Sequence, residues 1–245
     1  MKTFSYKHLT VNYRENSSDE AVLQHSFDND IFMTSIPYLK RLGPNPVVLD
    51  IGAHIGTFSL LINCLFPTSL IYAFEPCDDS FQVLNKNIDC NNLNSRIFSK
   101  KIAISDHKGT EKLFYDIESG NWGHSIIKNF GGGFEVVPTI TLESFIKDES
   151  LQKVDLIKFN VEGAEFKIIK SCPDEVLKKI KTFIILYHED LAINEDKYML
   201  IKKLKSLGYI VNHIRESEDR QRGWITATKN YYQYIEFSIK GKLKF

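Results

Sequence analysis

No apolar run in this sequence approaches the roughly 18 residues that a membrane span needs. The opening residues, Met1-Lys2-Thr3-Phe4-Ser5-Tyr6-Lys7-His8, hold no apolar core of a secretory leader. Neither sign of charge is in excess. Lys and Arg number 31, Asp and Glu also 31, so no overall field recruits nucleic acid or an anionic membrane. Cysteine is scarce: Cys64, Cys77, Cys90 and Cys172 form no C-x-x-C pair and lack zinc-site spacing. Cys64 lies in an apolar helical run and reads as core, and Cys77 is not expected to be a catalytic thiol. Free thiols fit a reducing compartment, so a cytoplasmic protein is expected. Repeats and low-complexity linkers are absent, so residues 1–245 read as one domain, with an N-terminal module over 1–46 and a core over 47–245. The expected partner is a small-molecule substrate, with no nucleic acid and no membrane.

What is present alternates. Thr3 to Tyr13 reads as a strand, and Ser17 or Ser18 caps a helix from near Asp19. Val22, Leu23, Phe27, Ile31, Phe32, Ile36 and Leu39 continue it at helical spacing until Gly43-Pro44-Asn45-Pro46. Strands are then expected at Val47–Asp50, Leu70–Phe74, Ile97–Ile104, Val154–Phe159 and Thr182–Tyr187. Helices are expected at Thr57–Phe66, Asp78–Cys90, Gly163–Ser171, Pro173–Ile180 and Asp196–Leu207. This order means right-handed crossovers and a mainly parallel sheet, an α/β fold. Two strands, Thr110–Tyr115 and Phe134–Ile140, flank a long loop over Glu118–Gly133, the kind of excursion that carries function. Tyr209–Ile214 and Trp224–Thr228 read as a closing pair of strands. The aromatic tail, from Tyr231 to Ile239, reads as a further strand or a homo-oligomer contact.

The chemistry concentrates at Val47-Val48-Leu49-Asp50-Ile51-Gly52-Ala53-His54-Ile55-Gly56-Thr57-Phe58. An apolar strand ends on a carboxylate, a glycine turn follows, and a helix begins. That is the nucleotide-binding corner of a doubly wound sheet. The dinucleotide fingerprint G-x-G-x-x-G is missing, because His54 stands between Gly52 and Gly56. Asp50 would repel a pyrophosphate but suits the ammonium of an amino acid. Glu75 ends the next strand, before Pro76, where a carboxylate accepts from both hydroxyls of a ribose. A ribose, an adenine and a cationic amino-acid tail together describe S-adenosylmethionine, with S-adenosylhomocysteine as product. Ala53 and His54 complete the turn, and Ser105 or Asp106 is a candidate for the adenine edge, as well as for a plain turn start.

A second rich segment is Asp155-Leu156-Ile157-Lys158-Phe159-Asn160-Val161-Glu162-Gly163-Ala164-Glu165. Its strand delivers Asn160 and Glu162 to the reacting methyl, and the helix dipole alone accounts for Glu165. His188 ends the following strand with the chemistry of a general base. Trp122 and His124, in the middle loop, are candidates to face substrate. His188, Glu189, Asp190 and Glu162 carry the residue types of a divalent-cation site, but their spacing is not specific and no metal is called for.

These motifs resemble the FkbM-type S-adenosylmethionine-dependent methyltransferases. The likeness runs through Val48–Gly56, Phe74-Glu75-Pro76, Asn87, Ala103-Ile104-Ser105 and Thr141-Leu142, and is sharpest over Asp155–Glu165. It implies a seven-stranded Rossmann-like sheet with helices on both faces. It also implies transfer of a methyl to a hydroxyl oxygen of a sugar, polyketide or other secondary metabolite, with Asp50, Gly52, Gly56 and Glu75 around the cofactor. The family pattern has Asp where this chain has Asn160, and an amide cannot act as a base. Either that residue's role in relatives is positioning, or this chain uses another base, or its activity is reduced. His188 is the favoured base and Glu162 the next, and Asn160 is a candidate both for the catalytic set and for the cofactor site. An N-methyltransferase acting on a small-molecule amine and a catalytically silent cofactor-binding scaffold are the alternatives.

Overall fold

The computed structural model describes residues 1–27, 42–115, 123–192, 194–215 and 221–229. The chain opens with a hairpin instead of the single strand expected. β1 (Lys2–Tyr6) pairs antiparallel with β2 (Leu9–Tyr13). Lys7 reverses the chain between them with φ +52°, a left-handed conformation that periodicity alone does not reveal. Helix α1 (Asp19–Phe27) follows, acidic in its first turn, where the helix dipole favours negative charge. The expected continuation of this helix, Trp122 and the aromatic tail lie outside the described residues.

Strand and helix then alternate through β3 (Val47–Ile51), α2 (Thr57–Leu65), β4 (Leu70–Phe74), α3 (Asp78–Cys90) and β5 (Ile97–Lys100). The strand expected over Ile97–Ile104 breaks at its middle. Ile102 N–H donates back to the Lys100 carbonyl, and β6 (Ala103–Ser105) leaves for a second sheet. There β7 (Gly109–Phe114) pairs antiparallel with β8 (Phe134–Thr141), and β6 pairs parallel with β8. Helix α4 (Leu142–Asp148) was not expected from the sequence; the Thr141 hydroxyl caps it by accepting from Ser144 N–H at 3.0 Å. The chain continues with β9 (Leu156–Phe159), α5 (Ala164–Ser171), the short α6 (Asp174–Leu177), β10 (Thr182–His188) and α7 (Lys197–Ser206). It closes with β11 (Ile210–Arg215) and β12 (Arg222–Thr228).

Seven strands form the main sheet in the order β11-β12-β10-β9-β3-β4-β5. The run from β10 to β5 is parallel throughout, and β12 is antiparallel to both of its neighbours. This is the Rossmann-like α/β architecture. Alternation along β3 sends Leu49 and Ile51 into a core with Phe145, Phe166 and Leu200, while Val48 joins the opposite core with Val11, Leu61 and Leu84. All four residues of β9 are buried, as a central parallel strand covered on both faces must be. The chain travels outward from β3 to β5, then resumes at β9 on the other side of β3. The gap between the ends of β3 and β9 is therefore the topological switch point, where such sheets bind ligands. Among the described residues no helix is long and apolar enough to cross a membrane.

Candidate active site

A cavity of about 820 Å³ opens at the carboxyl ends of the parallel strands, a volume ordinary for a small-molecule site. One end is built from the β3–α2 turn and the end of β4. Gly52 and Ala53 N–H both donate to the Phe74 carbonyl, at 3.0 and 2.9 Å, which folds the turn back over β4. Gly52 has φ +78°, and a Cβ there would stand 1.8 Å from the Asn160 carbonyl oxygen, so no other residue fits. The Glu75 carboxylate is buried and oriented by two backbone donors, His54 N–H at 2.8 Å and Cys77 N–H at 2.9 Å. Burial pushes its carboxyl up to about 7, although both N–H groups pull the other way.

The turn is braced from outside by Arg14, which follows β2. Its Nη2 lies 2.8 Å from Asp19 Oδ1, 3.1 Å from Ser80 Oγ and 3.2 Å from His54 Nε2. Burial holds His54 down at about 4, against the pull of Asp19, so its ring is neutral at neutral pH. Nε2 also lies 3.3 Å from Asp19 Oδ1, so it accepts from Arg14 in one tautomer and donates to Asp19 in the other. His54 Nδ1 and Asn160 Oδ1 are both buried with no hydrogen-bond partner among the described residues. Both residues line the cavity. Asn160 Oδ1 offers an acceptor for an ammonium and His54 Nδ1 a second polar contact beside it, so the residues present fit the amino-acid tail of S-adenosylmethionine.

The other end brings together segments far apart in sequence. Glu162 adopts φ +49°, a conformation that costs a non-glycine residue about 1–2 kcal/mol. Ser125 Oγ secures that turn by donating to the Glu162 carbonyl at 2.6 Å, while accepting from Ile127 and Lys128 N–H. A Cβ on Gly123 would stand 2.8 Å from Glu162 Oε2, so the loop backbone packs directly on the carboxylate. His188 Nε2 lies 3.3 Å from that same Oε2. Burial pulls the His188 imidazole down, but the charges of Glu162 and Glu165 prevail and raise it. Burial likewise raises Glu162, opposed by His188.

Of the candidates named from sequence, Gly52, Ala53, His54, Glu75, Pro76, His124, Asn160, Glu162 and His188 line the cavity. Asp50, Gly56, Ser105 and Asp106 do not. Asp50 is fully buried one layer below, where it accepts from Lys158 Nζ at 3.0 Å and Ser59 Oγ at 2.7 Å. The in-register pairing of β3 with β9 sets Asp50 beside Lys158, and the buried acid meets a buried cation before any ligand. Gly56 faces the Leu84 side chain, as its tight approach requires. Ser105 and Asp106 turn to Glu111 on β7, His107 in the turn before it and Lys167 on α5, and the cavity wall there is Ile102, Ala103 and Ile104. The four groups considered for a cation do not converge, because Lys197 holds Glu189 and Arg222 holds Asp190 through paired contacts. Burial pushes the Cys77 thiol up to about 11, which leaves it unreactive at neutral pH.

Sequence reasoning missed Arg14, Ser125, Lys158 and Arg222. Lys158 carried a signal, a lone cation inside an apolar strand. Its Nζ also donates to the Gly52 carbonyl at 2.6 Å, so it ties the glycine turn to β9.

Likenesses to known proteins extend this picture. The methyltransferase sdnD of Sordaria araneosa is 25% identical over 185 residues, covering 64% of this chain and 71% of its own. The 31-O-demethyl-FK506 methyltransferase FkbM of Streptomyces tacrolimicus is 24% identical over 229 residues, covering 81% of each chain. The crystal structure of methyltransferase FkbM from Methylobacillus flagellatus KT superposes with a TM-score of 0.53 at 15% identity. That likeness covers 75% of this chain but only 44% of that one, and it speaks for the fold alone. Residues 50–211 match the Methyltransferase FkbM domain, well over half of the sequence, and they include Gly52, His54, Glu75, Asn160, Glu162 and His188 of the cavity. The chain belongs to the FkbM methyltransferase family, for which S-adenosylmethionine is the methyl donor.

Proposed function

We propose that this chain methylates a hydroxyl oxygen of a small molecule, with His188 as general base. The observation that carries the reading is a single cavity with two chemically different ends. Glu75, the Gly52 turn, His54 and Asn160 stand at one end, and the His188–Glu162 pair at the other. The cofactor, when bound, supplies an electrophilic methyl on a sulfonium. The chain's own residues do the rest. Glu75 accepts from the ribose hydroxyls, Asn160 Oδ1 accepts from the ammonium, and His54, in the tautomer with its proton on Nδ1, donates to the carboxylate. His188 takes the acceptor's proton at Nε2, and Glu162 steadies the imidazolium that forms. Holding acceptor and donor together in a walled cavity supplies much of the acceleration, since good alignment contributes about 7–11 kcal/mol. An oxygen acceptor agrees with the name of the FK506-modifying relative.

The test is turnover with S-adenosylmethionine against a panel of hydroxylated sugars, polyketides and amines, with products read by mass spectrometry and NMR. A methoxy product is expected. An N-methyl product would replace this reading with the amine one, and cofactor binding without any turnover would point to a silent scaffold.

A further inference from the structure

Glu165 lies outside the cavity wall and is fully buried at the start of α5. Its place in the first turn suits the helix dipole, but its contacts reach further. Its Oε1 accepts from the His188 backbone N–H at 2.6 Å, and its Oε2 accepts from Gly163 N–H at 3.0 Å. One carboxylate thus joins the end of β10 to the turn that carries Glu162. The same Oε1 lies 3.4 Å from His188 Nδ1, while Glu162 Oε2 stands 3.3 Å from Nε2 on the opposite edge of the ring. The imidazole is 1% exposed, so these charges act on it with little screening by water.

We propose that Glu165 is a positioning residue: its carboxylate fixes the His188 ring beside Glu162 and raises the basicity of the nitrogen that takes the acceptor's proton. The 3.4 Å separation is long for a strong hydrogen bond, and Oε1 is already committed to the backbone, so the effect on the ring is chiefly electrostatic. Four charged groups face His188. Glu162 and Glu165 come from the turn and α5, Asp190 from beyond β10, and Arg222 from β12. Asp190 and Arg222 neutralise each other through their bidentate contact, which leaves the two glutamates to set the balance.

This inference rests on His188 being the base, and the experiment keeps the two claims apart. The His188 ring is titrated by NMR in histidine-labelled protein, with the signal assigned through His188→Gln. Wild-type protein is expected to titrate above the ordinary value of about 6.5. Glu165→Gln is expected to lower the ring's proton affinity about tenfold and to move the acid limb of the kcat/KM profile down by the same amount. S-adenosylhomocysteine affinity should stay at the wild-type level. Glu165→Asp keeps the charge at a longer reach and should recover part of the shift. An unchanged His188 titration in folded Glu165→Gln overturns the proposal. So does a wild-type ring that titrates at or below 6.5, a measurement that needs no variant to fold. If the NMR shift appears but His188→Gln turns over like wild type, the base assignment fails while the electrostatic coupling stands.

Discussion

The two ends of the cavity are built by different means. The donor end is nearly all local: Gly52, Ala53 and His54 are consecutive, and Glu75 closes the neighbouring strand. Its one carboxylate is held by backbone N–H groups, with no cationic side chain bonded to it among the described residues, while His54 Nδ1 and Asn160 Oδ1 stand there without partners among the described residues. The acceptor end draws on Ser125, Glu162, His188 and Arg222, which meet only through the fold. Its groups are charged and mutually dependent. A site for a fixed cofactor needs one rigid shape, which a glycine turn on two parallel strands supplies. A site for proton transfer needs matched charges, and these come from separate elements whose register can be adjusted.

That contrast can be broken from either side. The largest effect is expected from Gly52→Ala, whose Cβ would meet the Asn160 carbonyl in a left-handed backbone. Destabilisation of about 3 kcal/mol or more in urea unfolding, with loss of cofactor binding, is predicted. An alanine variant that unfolds and binds like wild type would show that the turn is not rigid. Next comes His188→Ala, predicted to lower kcat about 100-fold while the S-adenosylhomocysteine Kd holds. A matched loss of binding would mean that the two ends are not separable.

A smaller effect is expected from pH. The Glu75 carboxyl, pushed up to about 7, is protonated in the free protein below that value, and the ribose hydroxyls call for the carboxylate. Affinity for S-adenosylhomocysteine should therefore fall as pH drops through 7, about tenfold between pH 8 and pH 6. Calorimetry in buffers of different ionisation enthalpy should show proton release on binding below pH 7. A flat profile would mean that the carboxyl is already ionised. The smallest effect is expected from Ser125→Ala, which removes the hydrogen bond to the Glu162 carbonyl and the acceptor of Ile127 and Lys128 N–H while touching neither the cofactor turn nor His188. About a fivefold loss in kcat is predicted, with cofactor affinity unchanged.

The same division explains what the sequence made legible. Strand β3, its turn, β4, β9 and β10 are short apolar runs bounded by Gly, Pro or acids, so composition and spacing locate them. The break after Lys100 coincides with the polar run Ser99-Lys100-Lys101, but Ile102, Ala103 and Ile104 resume an apolar pattern beyond it, so spacing alone reads one strand where the chain changes sheets. Helix α4 did carry a signal in Thr141 followed by Leu142, Phe145 and Ile146 at helical spacing, overshadowed by the strand before it. Asp50 reads as a ligand group in the sequence because its partner Lys158 lies 108 positions away and is brought alongside only by strand register. Arg14 was invisible for a similar reason, since its brace on His54 depends on where the N-terminal hairpin docks. Local chemistry can be read along the chain, whereas charge pairing across a sheet waits for the sheet order.

The most direct test of the account is a calorimetric titration of S-adenosylhomocysteine into wild-type protein, Glu75→Ala and His188→Ala side by side. Binding by wild type and His188→Ala in the micromolar range, about −8 kcal/mol, with binding by Glu75→Ala weakened about 100-fold, is the predicted result. Equal binding by all three folded proteins, or none by wild type, would contradict a cavity divided into a donor end at Glu75 and an acceptor end at His188.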